Sequence, residues 1–451
     1  MIVVKFGGTS VADADAIRRG AEIVRGRLSR HPVVVVSALA GTTNALIALA
    51  EQAAKGHLIG AMSAVEGIRT RHLREADTLL GAAGMEVASE ISALCDELAA
   101  LAEALSVLGD LTPRSLDAIS AFGEQLSSLL VVAAYEAMGL PAVHLDARDV
   151  MVTDGTFGRA EPQPDAIAAA ARTHVVPLLR DGKVPVLGGF IGAMPTTRIT
   201  TTLGRGGSDY SASLLGAALK AEAIEIWTDV DGMLTADPRV VDDARLIERI
   251  GFEEASELAS FGAKVLHPYT IAPAVRLGIP VVVLNSRRPD GTGTLITFDA
   301  PRRPVTAIAG KEKVTLVKVR SPRMLLTEGF MRTLFAIFER HRTSVDVVAT
   351  SEVSVSVTMD DATRLEAIVG ELRELGDVAI ERSRGIVSVV GAELSRNPAV
   401  MAAAIAALDG AGVHMLSLSA TGINLTVVVD GDQVTPVIRR LHDIFFAQAA
   451  A

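Results

Sequence analysis

Met1-Ile2-Val3-Val4-Lys5-Phe6-Gly7-Gly8-Thr9-Ser10 opens the chain, an apolar run with one lysine that meets two glycines and two hydroxyls. A buried strand delivering a lysine to a glycine turn with open backbone N–H groups is a way for α/β proteins to hold a phosphate. The plain alternative is a strand-end lysine pointing to solvent. The glycines directly after Lys5 favour the phosphate. No G-x-x-x-x-G-K-[ST] spacing occurs in the chain, so this is not a P-loop.

Outward from this stretch, short apolar runs at residues 2–6, 33–37, 141–145, 184–187, 223–228 and 280–284 alternate with amphipathic helical segments. That alternation predicts the α/β class, with βα units around a mainly parallel sheet and helices on both faces. Sites on such sheets lie at the C-terminal ends of the strands. Glycines and hydroxyls gather there, at residues 7–10, 37–44 and 188–209. Residues 292–304, with Gly293, Pro301 and Pro304, read as a boundary. Beyond it a strand-helix-strand-strand-helix-strand order occurs twice, from residue 314 and again from residue 385. Two βαββαβ copies predict a pair of ferredoxin-like modules. Neither gathers an acid, a base and a nucleophile, which suits regulation. The expected domains are 1–298, 299–384 and 385–451, the last two able to share segments.

Length and composition narrow the partners. A chain of 451 residues, 49% hydrophobic with mean hydropathy +0.37, can build two or three cores. A net charge of -10 with 4% aromatics opposes nucleic-acid binding. Long apolar stretches such as 91–108 are interrupted by charges, here Asp96 and Glu103, so no membrane partner is expected. The one cysteine, Cys95, on an apolar helical face, reads as a core residue and excludes an internal disulfide. The N-terminus lacks the pattern of a secretory signal, and a cytoplasmic location is expected. Small molecules remain as partners.

Phosphoryl transfer needs charge neutralisation, a divalent metal and a grip on the acceptor more than it needs a covalent catalyst. Thr200-Thr201-Thr202-Leu203-Gly204-Arg205-Gly206-Gly207-Ser208-Asp209-Tyr210-Ser211 offers backbone N–H groups and Arg205 for an anion, and Asp209 for an amine or metal. An ordinary helix cap at Ser208 or Asp209 would leave Arg205, between glycines, unexplained. Trp227-Thr228-Asp229-Val230-Asp231-Gly232-Met233-Leu234-Thr235-Ala236-Asp237-Pro238-Arg239 suits either a nucleotide site or a solvated turn. Glu124 and Lys264 would each pass alone for surface helix charges.

Together, Lys5 to Val11, the 201–209 loop, Trp227-Thr228-Asp229-Val230 and Phe261-Gly262-Ala263-Lys264-Val265-Leu266-His267-Pro268 resemble aspartate kinase, and the likeness runs the length of the chain. The nearest pattern is the monofunctional, lysine-sensitive type with tandem ACT domains. The resemblance implies an amino-acid-kinase, carbamate-kinase-like α/β/α domain followed by two ACT modules, the second of them able to be inserted within the first so that segments are shared. The implied chemistry is transfer of the ATP γ-phosphoryl group to the side chain of L-aspartate with Mg2+, giving 4-phospho-L-aspartate on the way to lysine, threonine, methionine and diaminopimelate. It makes Lys5 and Asp209 catalytic and gives the substrate Thr43, Glu124, Arg205, Ser208 and Asp209. ATP would meet Lys5, Gly7, Gly8, Thr9, Ser10, Thr228, Asp229, Arg239 and Lys264, and no protein-only metal site is expected. Leu234 stands where the family often has a tyrosine near adenine. The alternatives are a relative with a different acceptor, or a catalytically silent amino-acid sensor.

For the effector, expected to be L-lysine, the resemblance implies Met324, Thr327, Phe330, Met331, Ser344, Val345, Asp346, Thr350, Ser351 and Glu352. Asp346 and Glu352 suit ammonium ends, and the helix start at residues 329–331 suits a carboxylate. Glu328 departs from the lysine-sensitive pattern. Pairing of ACT modules implies a homodimer, or a tetramer with effector.

Overall fold

The computed structural model describes residues 1–261, 268–326 and 328–447, and the chain divides into two compact units. The first comprises Met1–Met233 and Val265–Asp299, and the second Leu234–Lys264 and Ala300–Ala451. Residues 234–264 thus fold with the C-terminal half.

In the first unit the strands lie in the order Ala142–His144, Val184–Gly188, Pro32–Val36, Ile2–Phe6, Ile224–Thr228, Val281–Asn285 and Thr294–Ile296. All neighbouring pairs are parallel except the last, which is antiparallel. Every residue of Ile2–Phe6, Pro32–Val36 and Val184–Gly188 is buried, as expected of parallel strands covered on both faces. The register aligns Lys5 with Val35 and Ile226, and Val36 with Gly188. The residues that follow these strands therefore emerge along one sheet edge.

Among the described residues, one stretch is long and apolar enough to cross a membrane, Pro113–Ala137, and 78% of its apolar window is buried. It consists of helices Pro113–Ser120 and Phe122–Ala137, whose buried faces include Ile119, Leu126 and Leu130. It packs as a core element.

The second unit holds a six-stranded sheet in the order Val348–Thr350, Ser354–Met359, Ala307–Arg320, Asp377–Val390, Asn424–Asp430 and Val413–Leu418. Its two central strands are 14 residues each and serve both repeats. Thr315–Arg320 pairs with Ser354–Met359, whereas Ala307–Lys311 pairs with Ile386–Val390, which continues to Asn424–Asp430. The first repeat is therefore inserted between strands of the second, the reverse of the order anticipated from sequence. Separate cores underlie the halves, around Leu334, Phe338 and Leu372 in one and Leu408, Val437 and Leu441 in the other.

Buried Glu225 tethers the strand at the centre of the first unit. It binds Arg27 Nε at 2.5 Å, Arg30 Nη1 at 3.1 Å and Trp227 Nε1 at 3.1 Å, while the Arg27 guanidinium lies 4.7 Å from the Trp227 ring centre. Removing one member leaves uncompensated charge, so Glu225→Ala is expected to cost about 3 kcal/mol in denaturant unfolding. A loss below about 0.5 kcal/mol would show the cluster to be an ornament of the surface.

Candidate active site

Lys5 lies in a fully buried strand, where an unpaired ammonium would be costly. Its Nζ sits 2.6 Å from Asp209 Oδ1, and both side chains are largely shielded. Asp209 comes from the first turn of helix Gly207–Leu219, which starts after Gly206 at φ +71 with no side-chain cap. Neither Ser208 nor Asp209 is engaged in capping, so the bland explanation for them does not hold.

Glu124, in the first turn of Phe122–Ala137, is 4% exposed. Burial pushes its carboxyl from the ordinary range up to about 8, against the pull of the Ala38 and Glu124 N–H groups and the charge of Lys5. Its Oε2 has no hydrogen-bond partner among the described residues. A buried, half-satisfied carboxyl beside a lysine is a place for a ligand cation.

Two glycines permit this assembly. A Cβ on Gly188 would lie 2.9 Å from Glu124 Cβ, and one on Gly189 would lie 2.7 Å from Ser208 Cβ. The strand end thus fits between the two helices that carry Glu124 and Asp209. Thr43 stands partly exposed in the first turn of helix Thr42–Ala54, which follows Gly41 at φ +84. Arg205 is exposed between Gly204 and Gly206, both at positive φ, and makes no ion pair among the described residues.

The opening glycine turn differs from expectation. Gly7 N–H donates to Trp227 O at 2.9 Å, and Ser10 Oγ, buried, lies 3.1 Å from Trp227 O and 2.8 Å from Ser286 Oγ. Gly7 therefore has no open N–H and the Ser10 hydroxyl is engaged in structure, which leaves Gly8 and Thr9, partly exposed, as the accessible pair. Gly8 is required by close approach, since a Cβ there would meet Ala38 O at 3.0 Å. Likewise Thr200–Thr202 is a strand, not loop: Thr201 Oγ1 is 2.6 Å from Thr153 Oγ1, and Thr202 is held by Asp117.

Thr228 lies partly exposed at the end of the strand next to Lys5. The three carboxylates after it separate by role. Asp231 is bound by Asn285 Nδ2 at 2.7 Å and by Arg288, and Asp237 by Arg239 at 2.6 Å, whereas exposed Asp229 meets Thr228 Oγ1 at 3.3 Å. Arg239 is exposed and belongs to the second unit, whereas Lys5 and Asp209 belong to the first. Lys264 lies outside the described residues.

Residues 1–285 match the amino acid kinase family, and residues 387–445 match an ACT domain. Lysine-sensitive aspartokinase 3 of Escherichia coli is 39% identical over 458 residues, covering 99% of each chain. The chain belongs to the aspartokinase family. Chloroplastic aspartokinase 3 of Arabidopsis thaliana is 35% identical, over 98% of this chain and 81% of its own. The solved structure of E. coli aspartokinase III in complex with aspartate and ADP, in the R-state, superposes with TM-score 0.88 over 99% of this chain and 100% of that one, at 39% identity. The same enzyme in complex with lysine and aspartate, in the T-state, gives 0.83 at 39% identity over 99% of each chain.

Two supports of this aspartokinase site had no signal in sequence. Arg71 donates to Ala40 O at 2.7 Å and Ala12 O at 3.0 Å, tying together the loops after the first two strands. Asp117 accepts from Thr202 Oγ1 at 2.7 Å, Thr202 N–H at 3.0 Å and Gly158 N–H at 2.9 Å. Both resemble solvent-facing helix charges until the fold brings distant carbonyls and amides to them.

The positions expected to meet the effector divide in two. Ser321 N–H donates to Val353 O at 2.8 Å, which sets exposed Ser351 and Glu352 beside the turn carrying Met324. Thr350 ends the adjacent edge strand, and Met331 lies in the first turn of helix Phe330–Arg340, which follows Gly329 at φ +82 with no side-chain cap. Phe330 is buried in the core of the first repeat. At the other end Asp346 N–H donates to Thr358 O at 2.9 Å, and its Oδ2 lies 3.7 Å from Lys311 Nζ, near exposed Ser344 and half-buried Val345. Desolvation raises the Asp346 carboxyl, with Lys311 opposing. Val355 faces Thr350 in the ladder while Thr358 reaches Asp346, so the groups stand about 10 Å apart along the strand. Thr327 lies outside the described residues.

Gly189→Ala is expected to displace Ser208 and Asp209 and to lower kcat/KM by about 100-fold with the fold retained by circular dichroism. Unaltered kinetics would show that this close approach does not position the site.

Proposed function

We propose that the chain transfers the γ-phosphoryl group of ATP to the side-chain carboxylate of L-aspartate, giving 4-phospho-L-aspartate and ADP, and is inhibited by L-lysine. Full-length similarity to a lysine-sensitive aspartokinase, together with Lys5, Asp209 and Glu124 in one cluster, carries this reading. An aspartate carboxylate is ionised at neutral pH, so no strong base is needed. One carboxylate oxygen bonds to Pγ as the bridging P–O bond breaks, and ADP leaves with the electron pair. Charge neutralisation is the protein's main task.

Lys5 neutralises the transferring phosphoryl group, Glu124 and Asp209 receive the substrate ammonium, Arg205 pairs with the α-carboxylate, and Thr43 and Ser208 orient the acceptor. Gly8, Thr9, Thr228 and Asp229 hold the nucleotide, and the family resemblance adds Arg239 and Lys264. Magnesium enters on the ATP phosphates, where it lowers their charge. The reaction is cytoplasmic and opens the route to lysine, threonine, methionine and diaminopimelate.

For lysine, a homodimer paired through the first repeat is favoured by one observation. The two groups of effector positions stand at opposite ends of a strand in one chain, and Val348–Thr350 is an edge strand. A second copy could bring an Asp346 end to a Glu352 end, so that each site would draw on both chains.

Hydroxamate trapping with aspartate and MgATP tests the reaction. Lys5→Ala is expected to lose at least about 1,000-fold in kcat, and glutamate is expected to be a poor acceptor. Unimpaired turnover in Lys5→Ala would remove that residue from the site. Lysine, titrated separately from threonine and methionine, is expected to inhibit; a response to threonine or methionine alone would overturn the effector.

Glu124 also predicts a pH effect on stability. Its folded carboxyl is raised from near 4.5 to about 8, so its favourable contribution is complete at low pH and is lost as pH rises through that interval. Glu124→Gln is therefore expected to raise the thermal midpoint relative to wild type increasingly between about pH 5 and pH 9, while abolishing aspartate binding. A constant difference across that range would contradict the burial of this charge.

A further inference from the structure

The loop after strand Ile224–Thr228 is fastened step by step. Thr228 O accepts from Ser286 N–H at 2.9 Å, and Met233 N–H donates to Thr294 Oγ1 at 2.8 Å, all within the first unit. Two residues later Thr235 belongs to the second unit. There its carbonyl accepts from Ile308 N–H at 2.8 Å, and its hydroxyl accepts from Arg245 N–H at 2.9 Å. The same hydroxyl lies 2.9 Å from Nε2 of His442, which is 0% exposed on the last helix, Val434–Phe446. That helix is tied again to the segment by Arg439 Nε, which donates to Val240 O at 2.8 Å.

The Thr235 hydroxyl, which accepts from Arg245 N–H, has a second lone pair and a proton to offer, so it pairs with His442 Nε2 in either ring tautomer. The other ring nitrogen, Nδ1, is buried without a hydrogen bond among the described residues and lies 3.6 Å from Asp243 Oδ1. Burial lowers the His442 pKa, with Arg245 adding to the effect and Asp243 and Asp443 opposing it, which favours the neutral ring. The Phe446 ring, 4.8 Å away, covers the imidazole.

We propose that His442 is a positioning residue for the nucleotide: by holding the Thr235 hydroxyl it fixes the C-terminal side of the loop bearing Thr228 and Asp229, so that the second repeat sets the affinity for ATP. This rests on the assignment of that loop to the nucleotide. Neither the helix period nor any motif marks His442, whose partner is 207 residues away.

The test uses the full chain, with steady-state kinetics in aspartate and MgATP and calorimetric titration of MgATP alone. His442→Ala is expected to raise KM and Kd for MgATP about tenfold, with kcat and the KM for aspartate within about twofold. His442→Gln, which can present an amide oxygen to the hydroxyl, is expected to recover most of the affinity. Thr235→Val is expected to match His442→Ala, with little further effect in the double variant. A lower thermal midpoint with unchanged MgATP affinity, or equal changes for both substrates, overturns the proposal. Should His442→Ala not fold, Thr235→Val decides alone. Failure of the wild type to phosphorylate aspartate would defeat the functional reading, while the calorimetric comparison would still judge His442.

Discussion

A lysine in a buried parallel strand is costly unless an anion meets it, and the first unit is arranged around that constraint. Asp209 supplies the anion from a helix start, 2.6 Å from Lys5 Nζ. For the carboxylate to arrive there, strand Val184–Gly188 must end in residues without side chains, and Gly188 and Gly189 fit against Glu124 and Ser208. Glu124 is then left buried with one oxygen unpartnered. The folded chain thus keeps, at one edge of its sheet, a buried carboxyl that burial holds protonated at neutral pH and that a substrate ammonium can ionise.

The regulatory half is built by a different economy of chain. Two 14-residue strands run through both repeats, so the two modules share one hydrogen-bonded ladder. Residues 234–264 belong to this unit although they interrupt the kinase sequence, and Thr306 Oγ1 donates to Glu254 Oε1 at 2.5 Å within it. The chain therefore passes from one unit to the other immediately after the loop read as nucleotide-binding.

Much of this was visible in the sequence because it is local. The six apolar runs of the kinase half are the six parallel strands, within one or two residues at each end. Lys5, Glu124, Ser208 and Asp209 could be singled out by motif and resemblance, and the fold brings them together. Spacing could not reveal which polar groups are already engaged. Gly7 and Ser10 look open in sequence and are bound to Trp227, while Asp231 loses its freedom to Asn285 and Arg288. The single strand Asp377–Val390 was read as the end of one module and the start of the next, since its register with Ala307–Arg320 depends on pairing remote in sequence. Arg71, Asp117 and His442 were missed for the same reason: each acts on backbone or hydroxyl groups that only the folded chain brings near.

Proton release on aspartate binding tests the central claim most directly, because it reports whether the buried Glu124 carboxyl meets the substrate ammonium. Calorimetric titration of the full chain with L-aspartate at about pH 7, in buffers of different ionisation enthalpy, is expected to show release of close to one proton, and Glu124→Gln is expected to show none. Binding without proton release in the wild type, or equal release in both proteins, would contradict it.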